Sequence, residues 1–297
     1  MSRWIPSRSF LRALLVGAGV GVVALFLLMF LLRDRETEAP EQLPAEFNPA
    51  DFVRRSGNLD VPYVVTDYDV VDAMLAMADV KPNDFVVDLG SGDGRILIAA
   101  ARTNGARGLG VDIDPARIRE STANAQAANV SHRVTFRRQD LFNTPIGEAD
   151  VLTLYLLPEI NLRLRPRILE QMRPGTRVVS HDFDMGEWRF DQRQRVGSAT
   201  IYMWIVPARV EGRWTLTTGG RNAEIEFSQS FQSVGGTVAA EGRTARIEQG
   251  RLTGPNIRFL ADAGNGRRLF EGRVEGDRIV GTNAREPWQA VRAPAPQ

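Results

Sequence analysis

The chain of 297 residues contains no cysteine. Disulfides, thiolate metal ligands and cysteine nucleophiles are therefore excluded, while the compartment stays open, because a cysteine-free chain suits either side of a membrane. Histidine is nearly as scarce: His132 and His181 are too few to assemble a histidine-based metal site, so no metal is expected. Lysine occurs once, as Lys81, among 37 basic residues, a skew that reads as the codon bias of a GC-rich bacterial genome. Nor does one sign of charge prevail. The 37 basic and 36 acidic residues leave a net charge of +1, so no uniform field favours nucleic acid or an anionic surface.

What the chain has is the composition of a globular protein, 43% hydrophobic and 25% charged, at a length fit for one large domain or two ordinary ones. It also has one long apolar run. Ala13 to Leu32 are 20 consecutive uncharged, almost wholly apolar positions, about the length a helix needs to cross ~30 Å of hydrocarbon. A cleaved signal peptide would carry a shorter apolar core and a small-x-small site, which Arg33-Asp-Arg-Glu-Thr-Glu-Ala39-Pro40 does not offer. An uncleaved transmembrane anchor over residues 1–33 is the expectation. Gly17 and Gly21 form a GxxxG spacing through which two such helices could dimerise, although glycine is common in membrane helices anyway. Residues 34–60 are polar, with Pro40, Pro44 and Pro49, and read as a linker.

From residue 61 to about 210 apolar strands alternate with helical patterns. Thr66-Asp67 can cap a helix carrying Val70, Val71, Met74, Leu75 and Ala78 at helical spacing, ending before Lys81-Pro82. Strands are then expected at Phe85–Asp88, Gly108–Asp112, Val134–Gln139, Asp150–Leu157 and Arg177–Asp182, and helices at Arg95–Arg102, Pro115–Asn129 and Pro158–Met172. Ile201–Val210 can add an antiparallel strand. The pattern implies an α/β, doubly wound Rossmann-like sheet, whose ligands bind beyond the carboxyl ends of the strands.

The candidate functional residues fall at those ends. After Asp88 come Gly90, Ser91, Gly92 and Gly94, spaced G-x-G-x-G, whereas a nicotinamide dinucleotide fingerprint would need its third glycine at Arg95. Glycines at alternate positions of a strand-to-helix turn bring bare backbone against a ligand and can aim free N–H groups at a carboxylate. Asp88 suits a positively charged ligand. Asp112, 24 residues on, ends the second strand, where a carboxylate can accept from both hydroxyls of a ribose. Asp114, followed by Pro115, suits the cap of the next helix instead. Ile113 beside Asp112, and Asp140 with Leu141 after the third strand, offer apolar faces and an acceptor for an adenine ring. Together these residues imply S-adenosyl-L-methionine (SAM) as cofactor. A methyl acceptor should then meet the ends of the fourth and fifth strands, at Tyr155, Pro158, Glu159 and Asp182, where Glu159 or Asp182 could help an amine lose its proton. Equally, Glu159 in the first turn of a helix could serve only its dipole. Ser180-His181-Asp182-Phe183-Asp184-Met185 should line the same pocket.

The sequence resembles the membrane-anchored class I protein-lysine methyltransferases that modify the ATP synthase c subunit and the adenine nucleotide translocase, with their bacterial relatives. The resemblance runs from about Val61 to Asp184 and rests on the hydrophobic anchor, Pro62-Tyr63 ahead of Thr66, Asp88-x-Gly-x-Gly-x-Gly-Arg95, and the strand leading into Leu157-Pro158-Glu159. Val65 departs from it, at a position where the family has proline. It implies N-methylation of lysine in a protein substrate, one that can itself be membrane-embedded. A domain that uses SAM belongs in the compartment that makes SAM. The expected location is therefore a bacterial inner membrane, crossed once, with the catalytic domain on the cytoplasmic side. Arg3, Arg8 and Arg12 before the span, against Arg33 and Arg35 after it, weakly favour the opposite orientation.

Residues 211–297 change character. Trp214 and Leu216, Ala223, Ile225 and Phe227, Ile257 and Phe259, and Ile279 follow period-two patterns, with hairpin turns expected at Asn265-Gly266 and Gly276-Asp277. A small antiparallel β module of seven or eight strands, barrel or sandwich, is expected, able to hold a lipid, dock a protein or stabilise the enzyme. Two other functions stay open at this point: methylation of a lipid or small molecule, and SAM binding without transfer.

Overall fold

In the computed structural model the described residues are 65–264, 266–283 and 286–294. The expected span, the linker, Pro62-Tyr63 and Asn265 lie outside them. Among the described residues no helix is long and apolar enough to cross a membrane.

Helix α1 (Tyr68–Met77) begins the described chain, followed by β1 (Phe85–Leu89), α2 (Arg95–Ala99, widening into a π turn over Ala100–Asn104), β2 (Arg107–Asp112), α3 (Pro115–Ala127) and β3 (Val134–Arg138). A 3-10 turn (Leu141–Asn143) leads to β4 (Val151–Leu154), α4 (Pro158–Gln171), β5 (Arg177–His181), β6 (Gln192–Val196) and β7 (Ala199–Ile205). These strands form one seven-stranded sheet in the order β3-β2-β1-β4-β5-β7-β6. Strands β1 to β5 are parallel, and β7 runs antiparallel to both neighbours. The chain order reverses between β1 and β4, the kind of switch point beside which open α/β sheets bind ligands.

Side chains alternate between two cores. Val86 packs with Val70, Val71, Met74 and Leu97 on one face, and Val87 and Leu89 pack with Leu152, Leu164, Ile168 and Trp204 on the other. Burial on both faces is why the central strands read as continuous apolar runs. Two expectations need correcting. Asp67 sits at the N-cap of α1 but makes no side-chain cap bond. Strand β6 was not foreseen, because Gln192-Arg-Gln-Arg-Val196 is an edge strand whose first four residues are exposed.

Nine antiparallel strands follow: β8 (Gly212–Thr218), β9 (Arg221–Ser230), β10 (Ser233–Ala240), β11 (Arg243–Arg246), β12 (Glu248–Thr253), β13 (Asn256–Asp262), β14 (Arg267–Glu275), β15 (Arg278–Gly281) and β16 (Trp288–Arg292). Pairing of β10 with both β9 and β12 closes eight of them into a barrel, with β11 appended to β10. The Gly276-Asp277 turn lies where the sequence put it. Eight strands enclose just enough room for side chains or one small ligand. Here the buried rings of Phe227, Phe259, Phe270 and Trp288 meet edge-on or stacked at 4.9–5.9 Å in the barrel core. The barrel packs on the sheet domain through Phe231, stacked on buried Trp188 at 6.2 Å, Gln232 donating to the Arg189 carbonyl at 2.6 Å, and an Arg251–Asp191 ion pair of 2.7 Å.

Candidate functional site

The carboxyl ends of β3, β2, β1, β4 and β5 lie side by side, and nearly every residue singled out from the sequence is there. Asp88 is 2% exposed at the end of β1. Its carboxylate accepts from the Thr153 hydroxyl at 2.7 Å. Burial pushes its pKa up to about 7; the Thr153 bond opposes this and the nearby charges of Asp112 and Asp93 add to it.

The turn that follows is left-handed three times, with φ of +80° at Gly90, +51° at Gly92 and +82° at Gly94. A β-carbon on Gly94 would lie 2.5 Å from Cζ of Phe136, so that glycine lets the start of α2 close onto β3. A β-carbon on Gly90 would lie 2.9 Å from Leu156, at the edge of the cradle. The free N–H groups expected of this turn are not free. Gly90 and Ser91 both donate to the Val111 carbonyl, Gly92 to Asp112, Gly94 to the Ser91 carbonyl and Arg95 to Asp93. Among the described residues the buried Ser91 hydroxyl has no hydrogen-bond partner.

Asp112, at the end of β2, takes the Gly92 N–H on Oδ2 at 3.0 Å and the Asp114 N–H on Oδ1 at 2.9 Å. Each oxygen keeps a lone pair, so the double acceptor expected for a ribose is held rigidly in place. Asp114 caps α3 through the Ala116 N–H at 2.7 Å, as its sequence context implied. Ile113 is 55% exposed between them, a bare apolar surface at the mouth. Asp140 caps the 3-10 turn, accepting from Phe142 N–H at 2.8 Å and from the Asn143 amide. Leu141 packs partly into the core beside it. That turn is clamped from α4: Arg167 donates to the carbonyls of Leu141, Phe142 and Thr144, and Arg163 lies 4.1 Å over the Phe142 ring.

These residues fit SAM. A carboxylate whose pKa is raised by burial and by nearby acids wants a cation, which the amino and sulfonium groups would supply; an orphaned hydroxyl and a glycine cradle lie beside it; and a preset acid follows for the ribose.

On the acceptor side, Tyr155 lies just past β4 and stacks on His181 at 3.8 Å, with Phe183 at 6.5 Å. Burial raises the Tyr155 pKa, and the charges of Asp182 and Asp67 raise it further. Asp182, half-exposed, adopts a left-handed φ of +61° and is tied to Thr200 by two bonds, its N–H to the carbonyl at 2.7 Å and its Oδ1 to the N–H at 2.8 Å. Pro158 and Glu159 are the exposed first turn of α4, with Pro158 at its first position, and among the described residues the Glu159 carboxylate has no hydrogen-bond or ion-pair partner. Three residues were missed from the sequence. Thr66 bonds His181, Arg95 grips both Asp93 and the Thr66 carbonyl, and Asn161 of α4 holds the Phe183 carbonyl at 3.1 Å. From the sequence Thr66 and Arg95 enter only as a helix cap and as motif positions, and no local signal gives Asn161 its role.

Residues 88–192 match a family described as the ANTKMT methyltransferase domain. The chain is 40% identical over 151 residues to a protein-lysine N-methyltransferase of Saccharolobus islandicus, covering 94% of that protein and 49% of this chain. To the mouse adenine nucleotide translocase lysine N-methyltransferase it is 30% identical over 153 residues, covering 66% of that protein and 52% of this chain. Among solved structures it is similar to an RNA methyltransferase from Salinibacter ruber in complex with S-adenosyl-L-homocysteine, with 52% identity, 96% of that chain and 50% of this one covered, and a TM-score of 0.49.

Proposed function

The chain belongs to the SAM-dependent protein-lysine N-methyltransferases, and we propose that it is a membrane-anchored member that methylates the side-chain amine of a lysine in a protein substrate. SAM, when bound, supplies a methyl group already activated on a sulfonium. What remains for the protein is to hold the acceptor in line and keep water out, and proximity of that kind is worth ~7–11 kcal/mol. Asp88 would face the positive half of the cofactor, and Asp112 would hold its ribose. Ile113 and Leu141 would flank the adenine, with Asp140 beside them.

The observation that carries the lysine reading is the wall beyond β4 and β5, where the Tyr155 ring stands within the field of two carboxylates, Asp182 and Asp67. A flexible cationic side chain is what an aromatic face flanked by acids attracts. The arriving ammonium must shed a proton before attack, and Asp182, at this wall, is a group able to take it. Pro158 and Glu159 shape the exposed approach.

The anchor reading is supported by the 20-residue apolar run Ala13–Leu32. The need for SAM supports a cytoplasmic catalytic domain at a bacterial inner membrane, and a reporter fused after Gln297 tests it, since an external signal overturns that side. The activity is tested with labelled SAM, membrane and soluble extracts, and the intact chain beside Asp112→Ala. Label in a protein band that the variant fails to produce, traced to lysine, is expected. Label in the lipid fraction, or tight SAM binding with no label anywhere, overturns the proposal.

A further inference from the structure

Thr66 and His181 stand 115 positions apart in the chain and meet beside the acceptor wall. Both are buried, at 4% and 5% exposure. Each imidazole nitrogen has an oxygen beside it: Oγ1 of Thr66 is within hydrogen-bond distance of Nδ1 at 3.2 Å, and the Asp182 carboxylate lies in ion-pair range of Nε2 at 3.4 Å. Its face carries the Tyr155 ring. Burial holds its pKa below the ordinary value, against the pull of Asp182 and Asp67. A neutral imidazole has a single N–H, and a carboxylate can only accept. Beside the Asp182 carboxylate an N–H is favoured over a lone pair, so the proton belongs on Nε2, and Nδ1 accepts from the Thr66 hydroxyl.

We propose that Thr66 and His181 are positioning residues of the acceptor site: the Thr66 hydroxyl fixes His181 as its Nε2–H tautomer, and that N–H aims the Asp182 carboxylate at the incoming amine. Oδ1 of Asp182 is held from the other side by the Thr200 N–H. One lone pair on each oxygen remains for the substrate, whose proton passes to the carboxylate and from there to water at its half-exposed edge. The backbone carbonyl of Thr66 is gripped at 2.6 Å by Arg95, the residue that ends the glycine turn. Thr66 therefore ties the cofactor loop to the acceptor wall. The role in aiming Asp182 rests on the lysine reading above; the tautomer rests on geometry alone.

The chain has two histidines, and His132 is exposed, so nitrogen-15 histidine labelling of the full-length protein gives a spectrum in which the buried ring is readily told apart. The wild type is expected to show His181 neutral with the proton on Nε2. Thr66→Ser keeps that state and the turnover. Thr66→Val mixes the tautomers and lowers kcat about tenfold while the dissociation constant for SAM stays within about twofold. A wild-type spectrum with the proton on Nδ1 overturns the proposal, as does a Thr66→Val chain with unchanged kcat, or one that loses SAM affinity along with turnover. Should Thr66→Val fail to fold, the wild-type spectrum decides. A wild type that labels no lysine counts against the function proposed above, and the histidine spectrum still decides the tautomer.

Discussion

Asp88 and Thr153 are register partners on β1 and β4, and the threonine hydroxyl donates 2.7 Å to a carboxylate that water hardly reaches. The pairing has a sign consequence. The Asp88 pKa of about 7 lies above its unfolded value, so the folded chain binds an extra proton between about pH 4 and 7. The contribution is complete below the unfolded pKa and lost as pH rises through 7, on the order of 4 kcal/mol. A cationic ligand favours the ionised acid. SAM binding should therefore release a proton below pH 7, its affinity rising as pH approaches 7 and levelling above it. Calorimetric titrations in buffers of different ionisation enthalpy read that proton directly; no release at pH 6 contradicts the assignment of Asp88.

Gly94 and Gly197 share a left-handed φ, +82° and +59°, but differ in what surrounds them. Phe136 blocks a β-carbon at Gly94, while nothing lies within 4 Å of one at Gly197. Gly197→Ala should cost only backbone strain, about 1 kcal/mol, and Gly94→Ala roughly 1–3 kcal/mol more from overpacking. Thermal melting of the two variants side by side checks the order.

Arg167 carries three backbone carbonyls of the 141–144 turn on one guanidinium. A methionine of similar reach leaves those carbonyls to water and frees the turn that carries Asp140 and Leu141. Arg167→Met is expected to weaken SAM binding about tenfold, the scale of one lost charged hydrogen bond, with the KM for the acceptor unmoved. Equal losses in both constants would point to general unfolding.

Phe231 is the barrel's hold on Trp188, and the Arg165 guanidinium of α4 lies 5.4 Å from the centre of its ring. Phe231→Ala should lower the stability of sheet domain and barrel together by roughly 2 kcal/mol, seen as one shifted calorimetric transition. Two separated transitions would mean the parts melt independently.

How far the sequence reached depended on whether a feature was local. Asp88, the glycine turn, the Asp114 cap and the Gly276-Asp277 hairpin each need only their neighbours, and all were legible. The contact of Thr66 with His181 joins residues at opposite ends of the sheet domain, and no spacing announces it. Strand β11, Arg243-Thr-Ala-Arg246, and strand β6 carry no apolar alternation because both are largely exposed. The N–H groups of the glycine turn looked available because sequence shows donors but not the Val111 carbonyl that takes two of them.

Closure of the barrel also sets an order of events during synthesis. Strand β8 lies between β9, which follows at once, and β16, where Thr218 pairs with Trp288 near the end of the described residues. The sheet domain has all seven of its strands once Ile205 has left the ribosome. The barrel does not, and until β16 emerges β8 shows an unpaired edge to the solvent. On a growing chain the part that handles SAM is thus complete before the barrel, and the bare β8 edge is a template for wrong pairing until β16 covers it.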